Sequence, residues 1–193
     1  MKGIILAAGR CTRLYPMTRP VCKPLLSVYD KPLIYYPLSV LIQAGIRDVL
    51  VIVPPGEEGV FYTLLRDGMQ LGMSIHYTVQ PVARGIADAM DIAAYLEPSA
   101  RGELEIPHVN QEYLRRDKLR VIPLEDDYVW LDAGSTDSLL TAAQIIRDIQ
   151  KDGQYVGCIE ELAYKEGWIT SEQLRKLGNE LRMTAYGQYL LSL

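Results

Sequence analysis

The chain has 193 residues, enough for one domain of generous size. Apolar residues make up 49% and charged residues 23%, the balance of a globular chain. The net charge of −4 supplies no global field to recruit nucleic acid, so any phosphate-binding cations must be local.

The first half alternates strand-like and helix-like segments. Gly3–Ala8 is a short apolar run that stops at a glycine, and the basic, hydroxyl-bearing loop Gly9-Arg10-Cys11-Thr12-Arg13 follows, with Arg19 and Lys23 beyond it. A buried strand opening into such a loop is a common way to present backbone N–H groups and cations to a phosphate. A helix is predicted from Lys31 to Ala44, with Asp30 as its cap, Pro32 in its first turn and Gly45 at its end. Pro37 falls inside this pattern and must kink the helix or shift its start. Ile34, Leu38, Leu41 and Ile42 are spaced for one buried face.

Asp48–Pro54 reads as a strand buried on both faces, Glu57–Arg66 as a short helix, Met73–Val79 as a third strand and Arg84–Leu96 as a helix. This alternation predicts right-handed βαβ units and a mainly parallel sheet flanked by helices. In such sheets ligands gather at the carboxyl ends of the strands. The loop after Ala8, Pro54-Pro55-Gly56 and Gln80-Pro81 all lie at such ends.

The second half is less regular. Glu97–Gly102 is a polar linker candidate, Val109–Arg116 a short helix, and Leu119–Leu124 and Tyr128–Leu131 short strands. Asp132-Ala133-Gly134 leads into a helix over Ser135–Gln150 whose buried stripe is Leu139, Ala142, Ile146 and Ile149. The tail beyond Cys158 reads as helical, over Ile159–Glu166 and Ser171–Leu181. The expected organisation is one α/β domain over 1–193, with a nucleotide-binding half (1–96), a second part (97–157) and a helical tail (158–193). Cys11, Cys22 and Cys158 lack zinc-site spacing, and an odd count argues against a disulfide framework. No apolar run approaches the roughly 20 residues that cross a bilayer. The start leads straight into a strand rather than a secretory leader, so a cytoplasmic protein is expected.

Taken singly, these features have ordinary explanations. The basic loop fits neither glycine fingerprint for phosphates. Lys23 reads as a surface lysine, Gln80 as a turn residue, Asp132 as a helix cap, and His76 and His108 as structural. Together they carry a resemblance. KGIILAAGRCTRLYPMT, KPLLSVYDKPLIYYPLSVLIQAGIRDVLVIV, QPVARGIADA, the stretch Gly102–Tyr113, Trp130-Leu131-Asp132-Ala133-Gly134 and CIEELAYKEGWI…TAYGQYLLSL resemble glucose-1-phosphate thymidylyltransferases, of the sugar-phosphate nucleotidylyltransferase family.

The resemblance implies a Rossmann-like fold of the nucleotide-diphospho-sugar transferase type with C-terminal helices. It implies Mg²⁺-dependent transfer from dTTP to glucose 1-phosphate, releasing pyrophosphate. By motif, Ala8, Gly9, Arg10, Cys11 and Thr12 would cradle the phosphates through backbone N–H groups. Arg13 would neutralise the triphosphate and the departing pyrophosphate, and Lys23 would hold the reacting phosphates together. Gln80 and Gly85 would face the base and its sugar, and Asp132 matches a metal ligand. A homo-oligomer is expected as well, both from the family and from sheet geometry.

Three departures accompany the resemblance. Cys11 stands where the family has glycine, and Pro24 where many members carry a glutamine that reads thymine. The third is a missing central segment, with the join close to Ala93–Pro98. It removes a strand ending in a metal-binding aspartate and most of the sugar pocket. Loss of that strand should open one edge of the first strand. A catalytically impaired nucleotide-binding or assembly relative is therefore the alternative to an active enzyme.

Overall fold

The computed structural model describes residues 2–9, 11–81, 106–119 and 129–193. Three parallel strands form its sheet: β1 (Lys2–Leu6), β4 (Asp48–Val53) and β5 (Ser74–Val79), in the order β1-β4-β5. The register pairs Ile4 with Leu50 and Leu50 with His76. The apolar, β-branched run DVLVIV becomes the central strand because only that place buries both of its faces.

Between β1 and β4 lie a small hairpin, β2 (Ser27–Val28) and β3 (Lys31–Pro32), and helix α1 (Tyr35–Gln43). The helix predicted from Lys31 thus starts four residues late. Lys31 and Pro32 are spent on hairpin pairing, and Asp30 pairs with the Lys31 ammonium instead of capping. Pro37 sits in the first turn of α1, where no intrahelical donor is required, so it shifts the start without kinking the helix. Ile34, Leu38 and Ile42 are buried and Leu41 half-buried. At the far end Gly45 (φ 72°) lets Ile46 N–H reach the Leu41 carbonyl at 2.9 Å, closing the helix.

Helix α2 (Glu58–Leu65) returns the chain to β5, and α3 (Ile106–Arg115) follows. Helix α4 (Thr136–Lys151) is capped by a reciprocal Ser135/Ser138 box, not by Asp132. The expected helical tail forms α5 (Ile159–Lys165), α6 (Ser171–Glu180) and α7 (Ala185–Ser192), the last without bounds of its own in the sequence pattern. The helix expected at Arg84–Leu96, the linker at Glu97–Gly102 and nearly all of the strand at Leu119–Leu124 fall outside the described residues. Val129 to Leu131 form no strand.

One face of the sheet rests on a large core. Val49, Val51 and Val53 of β4 meet Ile34, Leu38 and Ile42 beside α1, Phe61 and Leu65 of α2, and Cys158, Ile159, Ala163, Leu174 and Leu190 of the tail. Gly3 admits α1 closely, since a Cβ there would stand 2.9 Å from Leu41 Cδ1. The opposite face is more open, and Ile4 is 51% exposed. Among the described residues β1 pairs only with β4, so its other edge has no described partner strand. No helix among them is long and apolar enough to cross a membrane.

Candidate functional site

Because all three strands run parallel, their carboxyl ends share one edge. Ala7 N–H donates to the Ile52 carbonyl at 2.7 Å, and Gln80 N–H to the Val53 carbonyl at 3.0 Å. The turn after β1 and the turn after β5 are thereby tied to the end of the central strand. Ala8 is buried and Gly9 exposed at the start of the loop. Arg10 and Gly85 lie outside the described residues.

Cys11 adopts φ 48°, ψ 38°, in the left-handed region that glycine enters freely and other residues at a cost of about 1 kcal/mol. The conformation is supported from outside. The Thr18 hydroxyl donates to the Cys11 carbonyl at 2.9 Å, and Leu14 N–H donates to the same carbonyl at 3.1 Å. A single 3-10 turn, Thr12–Leu14, then presents Arg13 while Leu14 turns inward and is fully buried.

Lys23 opens a second 3-10 turn, Lys23–Leu25, with Pro24 at a position where its missing N–H costs nothing. Behind it the Cys22 thiol is buried beside Glu57. Burial pushes that thiol up, and the Glu57 carboxylate that takes its hydrogen bond adds to the shift. Glu57 precedes α2 at the end of the central strand, and the sequence reading overlooked it because nothing local distinguishes it from a helix-start acid.

Asp132 arrives from the other half of the chain. Its Oδ2 accepts from Gly134 N–H at 3.1 Å. The carboxyl is held below its ordinary range by that N–H first, then by the Ser138 hydroxyl and the Lys23 ammonium. It is thus ionised at neutral pH. Gly134 is the meeting point. A Cβ built on it would stand 3.1 Å from Asp132 Oδ1, 3.2 Å from Oδ2 and 3.5 Å from Arg13 Nη2. Arg13, Lys23 and Asp132, far apart in sequence, are neighbours here.

One small apolar cluster holds the three. Leu14 comes from the Arg13 turn, Leu26 and Val28 from the segment after Lys23, and Leu139, Ala142 and Ile146 from α4, with Leu131 and Ala133 flanking Asp132 packed against them. Each charged group is carried by an apolar neighbour anchored in common ground. Among the described residues no set of three or more His, Cys, Asp or Glu side chains gathers around a point. One exposed carboxylate can serve as a ligand to a metal of the Mg²⁺ kind, which keeps several waters, only where phosphate oxygens supply further ligands and offset the two nearby cations.

A model of the family described as "Nucleotidyl transferase" matches residues 2–95 and again 89–149. The chain belongs to the nucleotidyl transferase family. Within the family it aligns over its whole length with glucose-1-phosphate thymidylyltransferases. That of Xanthomonas campestris pv. campestris (strain B100) is 36% identical, with 100% of this chain and 96% of the relative covered. That of Mycobacterium tuberculosis (strain CDC 1551 / Oshkosh) is 33% identical, with 100% and 99% covered. A solved structure from Bacillus anthracis in complex with sucrose, provisionally assigned as a glucose-1-phosphate thymidylyltransferase, superposes with a TM-score of 0.65 at 27% identity. The superposition covers 77% of this chain and 96% of that one.

The same matches bear on the shortening. The Xanthomonas alignment runs over 284 positions for a chain of 193 residues, so the difference falls opposite gaps in this chain. The family match breaks at residues 89–95, overlapping the stretch where the join was expected. This nucleotidyl transferase is a shortened member that lacks the family's central segment.

Proposed function

We propose that the chain binds dTTP at the carboxyl edge of its sheet and transfers its thymidylyl group to glucose 1-phosphate, giving dTDP-glucose and pyrophosphate. The observation carrying this reading is the approach of Arg13 and Asp132 to the Gly134 turn, with the Lys23 ammonium near enough to lower the Asp132 carboxyl. In the proposed reaction a phosphate oxygen of the sugar phosphate forms a bond to the α-phosphorus. The bond from that phosphorus to the oxygen bridging it to the β-phosphate breaks, and pyrophosphate leaves with the electron pair.

Protein groups have little covalent work in such a transfer; they position and neutralise. Backbone N–H groups of Ala8 to Thr12 orient the phosphates, and the Arg13 guanidinium offsets the charge gathering on the departing pyrophosphate. The Lys23 ammonium draws the two reacting phosphates together against their mutual repulsion. Gln80, and by resemblance Gly85, would face the base and its sugar. Asp132 would hold Mg²⁺, which when bound supplies further charge neutralisation on phosphate oxygens.

A second reading is favoured by the gap in the family alignment. The segment it removes carries, by resemblance, the other metal-binding aspartate and most of the sugar pocket. On that reading the chain binds nucleotide without turnover, or serves in an assembly with its own kind. Arg13→Ala separates the two. Pyrophosphate release from dTTP, glucose 1-phosphate and Mg²⁺ that falls by about 100-fold or more in the variant is expected of the enzyme. No release from the unaltered chain, with dTTP affinity lowered by Arg13→Ala, selects the binding protein. An unaltered chain that neither releases pyrophosphate nor binds dTTP in calorimetry overturns the enzyme and the nucleotide-binding protein, and a monomer in light scattering overturns the assembly.

A further inference from the structure

Beneath the hairpin lies a buried cation that the reading above leaves without a part. Lys31 is 3% exposed. Its ammonium sits 2.5 Å from Asp30 Oδ1 and donates to Gln150 Oε1 at 3.0 Å, while Gln150 Nε2 donates to Asp30 Oδ2 at 3.0 Å. These three side chains close a ring. The rings of Tyr36, Tyr155 and Tyr186 stand 5.5, 6.0 and 5.6 Å from the ammonium, and the buried Glu160 carboxyl also lies near it.

The ring joins two pieces of chain whose opposite ends carry charge. On one side, Leu26 N–H donates to the Lys23 carbonyl, Leu33 N–H to the Leu26 carbonyl and Ile34 N–H to the Pro24 carbonyl, at 3.0, 2.9 and 2.9 Å. The hairpin is thus a rigid extension of the turn that bears Lys23. On the other side, α4 runs unbroken over 16 residues, about 24 Å, from the Ser135 cap beside the Asp132–Gly134 turn to Gln150 near its end. An apolar side chain at position 31 would bury as much surface. Replacing a buried ion pair with apolar groups is often neutral or stabilising, so burial alone does not call for a lysine. What the ring adds is direction, since both partners of the ammonium must stand at hydrogen-bond distance.

The geometry points to Lys31 as a positioning residue that, through Asp30 and Gln150, sets the placement of Lys23 against Asp132 for a nucleoside triphosphate. The inference rests on the binding function proposed above for its ligand, and on the fold alone for its mechanics. Lys31→Met keeps the stem and removes the ammonium. Gln150→Ala leaves the Lys31–Asp30 pair and cuts only the tie to α4, and it serves if Lys31→Met does not fold.

Calorimetry with dTTP is expected to show an affinity loss of about tenfold in Lys31→Met and a smaller one in Gln150→Ala. In a Lys23→Ala background the loss from Lys31→Met should shrink to about twofold or less, because the two changes act through one group. Amide exchange without nucleotide should show protection lost in peptides carrying Leu26, Leu33 and Ile34 and in those carrying Gly134 and Leu139, with β4 unchanged. Unaltered dTTP affinity, losses that multiply with Lys23→Ala, or protection lost equally in β4 would each overturn the assignment. Should the unaltered chain fail to bind dTTP, the binding function falls, and the exchange pattern by itself decides whether Lys31 positions the two segments.

Discussion

Among the described residues there are two apolar clusters of unequal size, and they hold different things. The larger one joins the sheet to α1, α2 and the tail and contains most of the fully buried side chains. The smaller one lies under the Arg13, Lys23 and Asp132 segments and contains none of the sheet. Site geometry therefore rests mainly on the smaller group of residues, with Cys22 behind Lys23 its link to the larger one. A site standing on a small cluster can be altered without unfolding the sheet, and the sheet can tolerate changes around the site.

That separation can be broken from either side. The largest effect is expected for Phe61→Ala, since the ring is fully buried in the large cluster. Urea unfolding should show a loss of about 3–5 kcal/mol. Next comes Leu139→Ala in the small cluster, with a loss of about 2–3 kcal/mol and a fall in dTTP affinity larger than that of a folded Phe61→Leu control. Equal affinity losses in both would mean that the clusters are not separate supports.

A third expectation concerns pH and the junction between sheet and tail. Glu160 is buried, accepts from the Tyr186 hydroxyl and lies near the Cys158 thiol and the Lys31 ammonium. Burial holds its carboxyl above the ordinary range despite these partners. The folded chain thus binds this proton more tightly than the unfolded chain. The group's stabilising contribution is full below the unfolded value of about 4.3 and is lost as pH rises through the folded one. Glu160→Gln, which cannot ionise, should flatten that part of the profile in urea midpoints measured across pH. An unchanged profile would remove Glu160 from the account.

The smallest effect on stability is expected for Gly134→Ala. Its φ lies outside the left-handed region, so the cost is the close approach alone: the new Cβ would press the Asp132 carboxylate at 3.1 Å. Stability should change by less than about 1 kcal/mol. Affinity for dTTP should fall by about threefold, because the carboxylate moves away from Arg13.

How far the sequence could be read followed the range of the forces involved. β4 was legible because five consecutive apolar residues, Val49 to Val53, between turn signals fit a central strand and little else. α4 was legible from its period and its cap. The hairpin was not, since its strands are two residues each and Tyr29 takes a positive φ that no local pattern announces. Its residues were absorbed into the helix predicted from Lys31. The tail was legible as helical, but α7 was not delimited within it, because Gly187 interrupts its pattern; the glycine is there for contact, since a Cβ on it would meet the Leu181 carbonyl oxygen.

At the site, residue types were legible and proximity was not. Arg13 and Asp132 became neighbours only by folding, and the Lys31–Gln150 bond spans 119 positions. Cys11 was noticed as a departure from glycine. The structure adds why the position matters, because its backbone keeps the glycine-like conformation.

The order of the strands along the chain has a consequence during synthesis. β1, β4 and β5 are all complete by residue 79, so the sheet can pair while the ribosome is still making the second half. Much of the layer that covers it, from Cys158 to Leu190, emerges last. In that interval the nascent chain carries the three described strands with a half-finished cover, and the time spent there is set by translation rather than by folding. A stop codon placed before residue 158 should therefore yield a product that pairs its strands and then aggregates through the uncovered face.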